Sequence, residues 1–141
     1  MKDQGYGKLD HVGIAVNDVV EVARMYSEGL GLKVSEPTIN EDEAVKIVFL
    51  PTDSHLIELV QPLHESTAIN KFLQTRGEGL HHVCFEVADI EGTLQRLRDM
   101  GIQLIDQTPR VDPKRKRKLA FVHPKSAHGV LVELIEYDKP S

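Results

Sequence analysis

The stretch that decides the fold of this chain is Asp10-His11-Val12-Gly13-Ile14-Ala15-Val16-Asn17-Asp18, because it returns as His81-His82-Val83-Cys84-Phe85-Glu86-Val87-Ala88-Asp89. A second stretch is repeated in the same way: Leu56-Ile57-Glu58-Leu59-Val60 returns as Leu131-Val132-Glu133-Leu134-Ile135. The copies stand 71 and 75 positions apart. This period exceeds the roughly 20 to 50 residues of solenoid repeats, so we expect two halves of one domain.

Each half reads as a strand, a helix and further strands. Apolar runs predict strands over Leu9 to Val16, Val45 to Leu50, Leu56 to Val60, Val83 to Val87, Leu119 to His123 and Val130 to Ile135. Helical spacing predicts helices over Val19 to Leu30, Ser66 to Gln74 and Ile90 to Met100. Asp18 and Asp89 are suitable N-caps, and Arg76 to Gly79 is a predicted linker. We therefore predict a single domain, 1–141, built of two βαβββ modules over about residues 8–76 and 78–138.

Composition limits the range of functions. The chain has 141 residues, a hydrophobic fraction of 40% and a net charge of −5. That charge argues against a general nucleic-acid binder, which must neutralise phosphates. The single cysteine, Cys84, is expected to be a buried strand residue. Residues Met1 to Lys8 do not resemble a signal peptide, and no apolar stretch is long enough to span a bilayer, so we expect a cytoplasmic protein with no membrane partner.

Two histidines and two glutamates occupy equivalent places in the two copies: His11 with His82, and Glu58 with Glu133. A carboxylate flanked on both sides by aliphatic residues costs several kcal/mol to bury without a compensating partner. Because the same pair of residue types is kept twice, we predict that all four side chains ligate one ion. Two imidazoles and two carboxylates suit Zn²⁺, Co²⁺, Ni²⁺ or Mn²⁺.

The remaining histidines are expected to have other roles. Alternate strand residues face opposite ways, so His81 should point away from His82. We expect surface positions for the histidines near strand ends and turns: His55, His64, His123 and His128.

The chain resembles the methylmalonyl-CoA epimerases of the vicinal oxygen chelate (glyoxalase-like) superfamily, over residues 8 to 137. The matching segments are Asp10 to Val16, Val48 to Pro51, Ile57 to Leu59, Lys71 to Leu73, Arg76 to Val83, Leu104 to Asp106, Phe121 to Ser126 and Gly129 to Leu134. The glycine-rich approach to the double histidine and the His-Pro-Lys-Ser turn are the segments more particular to the epimerases.

This resemblance implies an α+β fold in which paired βαβββ modules form a cupped mixed β-sheet. It implies epimerisation of methylmalonyl-CoA through an enolate, with a divalent ion, Co²⁺ in particular, held by His11, Glu58, His82 and Glu133. Glu133 is also the candidate base. An acyl-CoA substrate and a homodimer are the implied partners.

The sequence departs from the epimerase pattern in two places. Some epimerases carry a second acidic residue where this chain has Lys46, so the second base stays open between Glu43, Lys46 and a water molecule. The loop before Leu119 is basic rather than glycine-rich, and Lys114 to Lys118 have two interpretations: a site for the phosphates of coenzyme A, or a solvated loop.

Two other functions remain open at this point. A lyase of the glyoxalase I type would use the same four ligands on a glutathione hemithioacetal. A ligand-sequestering module of the same fold would need no ion, which the four candidate ligands argue against.

Overall fold

The computed structural model describes residues 7–53 and 55–140. Internal contacts divide the chain into two compact units: a first unit, His11–His81, and a second unit, whose described residues are 7–10 and 82–140. The division falls inside two strands, whereas the sequence predicted a boundary near residue 77. That the two units form one domain stays a prediction.

The first unit holds four strands in the order β2-β3-β4-β1. Its elements are β1 (Lys8–Ala15), α1 (Val19–Arg24), β2 (Thr38–Asn40), β3 (Val45–Pro51), β4 (Leu56–Pro62) and α2 (Ala68–Arg76). β1 and β4 run parallel, and the other pairs are antiparallel. The connection between β3 and β4 includes Ser54, which lies outside the described residues.

The second unit repeats this arrangement, with the order β5-β8-β7-β6. Its elements are β5 (Gly79–Glu86), α3 (Ile90–Asp99), β6 (Arg110–Asp112), β7 (Arg117–Val122) and β8 (Leu131–Tyr137). β5 and β8 run parallel, like β1 and β4. The predicted class, α+β with two βαβββ modules and a mixed sheet, is confirmed.

Both strand-to-helix junctions are built alike. The Asp18 carboxylate accepts hydrogen bonds from the N–H groups of Val20 and Glu21, and the Asp89 carboxylate accepts one from Gly92. These are the predicted N-caps. Each helix has a second cap that the sequence did not reveal. The Val19 N–H donates to Oε1 of Gln61 at 3.0 Å, and the Ile90 N–H donates to Oε1 of Glu136 at 2.9 Å.

Three features differ from the prediction. The first helix is α-helical only to Arg24 and continues as a π-helical turn over Met25–Gly29, where one continuous helix to Leu30 was expected. The edge strands β2 and β6 were not located, because three residues show too little alternation to be recognised. β5 begins at Gly79 rather than Val83, so the predicted linker shrinks to residues 77–78.

Each face of the first unit's sheet has its own core. We call the face that carries His11 in the first unit, and His82 in the second, the histidine face. In the first unit α2 covers this face: Ile69 and Leu73 pack against Val45, Ile47 and Val60, among others. The opposite face is covered by α1. The His11 side chain therefore extends from a sheet that is packed on both sides.

The second unit differs in how its histidine face is covered. α3 packs against the opposite face, where Leu94 meets Ala120 and Leu134. The histidine face itself carries a small cluster of Cys84, Leu119 and Ile135, with Phe121 beside it. The predicted burial of Cys84 is confirmed. None of the helices in the described parts of the chain has the length and apolar character that crossing a bilayer requires.

Candidate functional site

The first unit brings His11 and Glu58 together. β1 and β4 are paired so that Glu58 lies opposite Gly13, two residues after His11 and on the same face. His11 Nε2 and Glu58 Oε2 are 3.4 Å apart, and their side chains are 3% and 16% exposed. Glycine at position 13 leaves room beside both side chains. The two residues thus form one pair, with a buried histidine and a half-buried glutamate.

The second unit contains an equivalent pair. Glu133 lies opposite Cys84, again two residues after the histidine. His82 Nε2 and Glu133 Oε1 are 3.5 Å apart, with side-chain exposures of 8% and 5%. The strand register, and not only the residue types, is therefore repeated.

The donor chemistry of each pair fits a divalent ion. At metal–ligand distances of about 2.1 Å, two ligands of one ion lie about 3.0 Å apart in octahedral and about 3.4 Å apart in tetrahedral geometry. Both His–Glu separations are near this range and exceed the roughly 2.9 Å of a typical N–H···O hydrogen bond. Imidazole nitrogen with carboxylate oxygen is a donor set that first-row divalent metals accept. The class of cofactor is thereby supported, but the choice of ion is not.

Each glutamate also has an aromatic neighbour on the next strand. Glu58 lies opposite Phe49, and Glu133 lies opposite Phe121. The Glu58 and Glu133 side chains are 16% and 5% exposed, so each carboxylate has limited contact with bulk water. Low exposure to water strengthens the electrostatic interaction between a carboxylate and a bound cation.

Beyond Glu133, the histidine face of the second unit carries a polar network that sequence reasoning missed. Asp112 accepts hydrogen bonds from Arg115 and Arg117, each at 3.2 Å. Arg117 lies opposite Tyr137, whose hydroxyl donates to Asp10 at 2.7 Å. The only available signal was the spacing of these residues along strands, and β6 was not recognised as a strand.

Electrostatic interactions in this network shift three pKa values. Burial works to lower the pKa of Arg117, but the negative charges of Glu133 and Asp112 outweigh it, so that this pKa is raised. Burial works to raise the pKa of Asp112, yet hydrogen bonds from Arg115 and Arg117 hold it below its usual value. Burial and the hydrogen bond to Asp10 both raise the pKa of Tyr137. All three groups therefore keep their ordinary charge states near neutral pH.

The structure distinguishes between the two residues that are candidates for the second base. Lys46 lies on β3 beside Ile47, and Phe49 shares the histidine face with Glu58. Alternation therefore places Lys46 on the opposite face of the sheet, which argues against a role at the His11–Glu58 pair. Glu43 lies exposed in the turn after β2, where its N–H donates to Asn40. Glu43 stays a candidate.

The other histidines lie outside the two pairs. The His81 ring meets Phe72 edge-on, with centroids 4.8 Å apart. His55, His64 and His128 are exposed, as expected, whereas His123 is half-buried and its Nδ1 accepts a hydrogen bond from the Lys125 N–H.

The basic run is only partly a loop. Arg117 and Lys118 belong to β7, and Lys118 lies 3.9 Å from Glu91. Lys114 and Lys116 are exposed in the turn before the strand. A phosphate-binding role for the run stays a prediction, and the structure limits it mainly to the exposed turn residues.

Comparison with known proteins supports the interpretation of the fold. Residues 10–121 match the Glyoxalase/Bleomycin resistance protein/Dioxygenase superfamily. The chain is 38% identical to the ethylmalonyl-CoA/methylmalonyl-CoA epimerase of Cereibacter sphaeroides, over 91% of this chain and 96% of that protein. It is also 38% identical to the mitochondrial methylmalonyl-CoA epimerase of Dictyostelium discoideum, over 94% and 80% of the two chains. A Streptomyces coelicolor methylmalonyl-CoA epimerase variant, solved with 2-nitronate-propionyl-CoA, superimposes with a TM-score of 0.82 at 30% identity, covering 94% of this chain and 98% of that one.

The chain therefore belongs to the Glyoxalase/Bleomycin resistance protein/Dioxygenase superfamily. Its relatives within that superfamily include methylmalonyl-CoA epimerases, and the resemblance recognised from the residues is confirmed.

Proposed function

We propose that this protein is an isomerase that epimerises methylmalonyl-CoA at the carbon between the thioester and the carboxylate. The observation that carries the proposal is the repeated His–Glu pair, at 3.4 and 3.5 Å, in a chain whose relatives include epimerases. Similarity to an epimerase solved with an acyl-CoA analogue supports the same class of substrate.

We propose further that His11, Glu58, His82 and Glu133 together hold one divalent ion. Each pair fits two ligand positions by its donor atoms and their separation, and the duplication makes the two pairs equivalent. When bound, the ion would stabilise negative charge that develops on substrate oxygens as the proton leaves.

Glu133 is the residue that we assign to proton transfer. Its side chain is 5% exposed, compared with 16% for the equivalent Glu58, and Phe121 lies opposite it. A carboxylate with little access to water exchanges protons with the substrate rather than with bulk solvent. Inversion also requires a group on the other side of the substrate plane. Glu43 or a water molecule is our candidate for it.

Two parallel assays test the reaction. Methylmalonyl-CoA in deuterated water should exchange its α-proton in the presence of the metal-loaded protein, and methylglyoxal with glutathione should give no product. Turnover in the second assay alone would instead identify a glyoxalase-type lyase. A protein that binds acyl-CoA without either activity would be a sequestering module, and the proposal would be wrong.

Metal analysis tests the ligand set independently of activity. The purified protein should contain about one divalent ion per chain, and His82→Ala should lose most of it. His128→Ala is the matched control, because that histidine is exposed and should leave the metal content unchanged. Full metal content in the His82 variant would contradict the site. The native ion, the dimer and the cytoplasmic location stay predictions.

A further inference from the structure

The hairpin turns next to the short strands have the same backbone in both units: residues 41–44 between β2 and β3, and residues 113–116 between β6 and β7. The paired residues that flank these turns are Asn40 with Val45 and Asp112 with Arg117. In both turns the side chain of the first flanking residue accepts a hydrogen bond from the third backbone N–H after it, at 3.1 Å and 3.3 Å. The last residue of each turn has a positive φ, 56° at Ala44 and 53° at Lys116. The two turns are therefore equivalent position by position.

The two turns carry opposite charges. We call residues 41–44 the acidic tip and residues 113–116 the basic tip. The acidic tip bears three carboxylates and the basic tip three cationic side chains: Glu41, Asp42 and Glu43, against Lys114, Arg115 and Lys116. All six of these residues are exposed. Because the same turn forms with either sign of charge, the backbone of the turn does not account for the charges.

Two charged side chains at each tip have no ion-pair partner among the residues that the structure describes: Glu41 and Asp42, and Lys114 and Lys116. Arg115 differs from the two lysines, since Asp112 lies 3.2 Å from it. Like charges on neighbouring residues repel one another, and water with its dissolved salt screens this repulsion only in part. An oppositely charged surface would relieve the repulsion at both tips.

An exposed apolar side chain adjoins each tip. Ile39 on β2 is 51% exposed, and Val111 on β6 is 72% exposed. The two positions are equivalent, because Ile39 lies opposite Lys46 and Val111 lies opposite Lys118. Exposed ion pairs contribute only about 0.2 to 1 kcal/mol each, whereas apolar burial adds about 25 cal/mol per Å². In a contact between the two kinds of hairpin, charge would therefore set the orientation and these apolar residues would add affinity.

We propose that the acidic tip of one molecule docks onto the basic tip of a second copy of this chain. Complementary charge argues for this occupant, because the chain itself supplies the opposite charge on a turn of the same shape. A nucleic acid is disfavoured as the partner of the basic tip, since the whole chain has a net charge of −5 and would repel phosphates. The homodimer expected from the resemblance specifies no surface, whereas this proposal assigns one. The docking does not depend on the proposed function.

Charge reversal followed by mixing tests the contact. The acid-reversed variant carries Glu41→Lys and Asp42→Lys, and the base-reversed variant carries Lys114→Asp and Lys116→Asp. Aspartate is chosen because it tolerates the positive φ at position 116. Self-association of the full-length proteins, as purified, is measured by sedimentation equilibrium at up to about 100 μM, in about 50 mM and about 500 mM salt.

The wild type should self-associate in low salt, and its dissociation constant should rise about 10-fold or more in high salt because exposed charges are screened. In each variant both tips have a net charge of the same sign, so the dissociation constant should rise about 10-fold or more. An equimolar mixture of the two variants should recover the wild-type affinity to within about 5-fold. Recovery on mixing requires contact between different molecules, because each variant alone lacks an oppositely charged tip.

Charge changes away from the tips provide the matched controls. Asp53→Lys with Glu65→Lys alters the net charge as the acid-reversed variant does, and Lys125→Asp with Lys139→Asp alters it as the base-reversed variant does. All four residues are exposed and lie outside both hairpins. The dissociation constants of these controls should stay within about 2-fold of the wild-type value.

Three results would overturn the proposal: a wild type that stays monomeric in low salt, reversed variants that associate like the wild type, or a mixture that associates no more tightly than the separate variants. Weaker association of the base-reversed variant alone would also overturn it, because the basic tip would then bind something other than the acidic tip.

Should a reversal prevent folding, amide variants decide the matter: Glu41→Gln with Asp42→Asn, and Lys114→Gln with Lys116→Asn. Each pair of substitutions removes charge without creating the opposite charge, so the dissociation constant should rise about 3-fold or more. An unchanged dissociation constant in these amide variants contradicts the proposal.

Discussion

Each unit contains one His–Glu pair, and the two units differ in the residues that surround that pair. In the first unit α2 covers the histidine face, and apolar residues such as Val45 and Ile47 continue it beyond Glu58. In the second unit the corresponding face continues from Glu133 to Arg117 and Tyr137. Duplication kept the residues next to the proposed ion and let the rest diverge.

This difference indicates that the histidine face contributes packing in the first unit and polar groups in the second. Packing of α2 on one face stabilises the first unit through buried apolar area, which contributes about 25 cal/mol per Å². The second unit instead keeps cationic and hydroxyl groups on the equivalent face, where a buried charge needs partners such as Asp112.

The largest effect is expected from exchanging the equivalent residues Val45 and Arg117 between the two units. Val45→Arg would place an unpaired charge beneath α2, at a cost of about 3 to 5 kcal/mol. We therefore expect a large loss of stability or insoluble protein. Arg117→Val should change stability by about 1 kcal/mol or less, because Asp112 keeps Arg115 as a partner. Urea denaturation of both variants measures the difference, and equal effects would show that the two faces are packed alike.

The paired glutamates should differ in chemistry although they match in position. Glu133→Gln removes the proposed base while leaving an oxygen that can still occupy a ligand position, so kcat should fall about 100-fold or more. Glu58→Gln is the control, with weaker metal binding expected but a smaller fall in kcat at saturating metal. Proton-exchange kinetics measured beside metal titrations separate the two effects. Full metal content and full proton-exchange activity in Glu133→Gln would show that another residue is the base, and Glu43 would be tested next.

The smallest expected effect concerns acid stability of the second unit. Asp112 has a lowered pKa in the folded protein, so the folded state binds fewer protons at this group than the unfolded state. The stabilisation is therefore present above the ordinary value of 3.8 and is lost as the pH falls through the lower folded pKa. Asp112→Asn should abolish this component, on the order of 1 kcal/mol.

Unfolding free energies at pH 6 and pH 3 provide the measurement for that component. The gap between wild type and Asp112→Asn should narrow at the lower pH, while the exposed Asp53→Asn should follow the wild type throughout. An equal difference in unfolding free energy at both pH values would mean that the two arginines do not stabilise the charged form of Asp112.

Much of the fold follows from local signals. The repeated strand motifs, the caps Asp18 and Asp89 and the closing of α3 before Gly101 are all encoded within a few residues, where alternation and capping act. The edge strands are not encoded locally, because a three-residue strand exists only through pairing with its neighbour. The π-helical turn was not predicted from the sequence either. Lys46 shows the same limit. Its face depends on the register with Gln61 and Glu58, and the resemblance alone left it a candidate.

What the sequence determined by itself is the identity of the two His–Glu pairs, since duplication exposes them and a buried carboxylate needs a partner wherever it lies. What only the tertiary structure decided is which further groups share their face. Arg117, Asp112 and Tyr137 come from three different strands, and one of these, β6, was not recognised from the sequence, so their spacing alone did not bring them together. Their meeting depends on strand register and on burial, which are properties of the packed sheet rather than of any local segment.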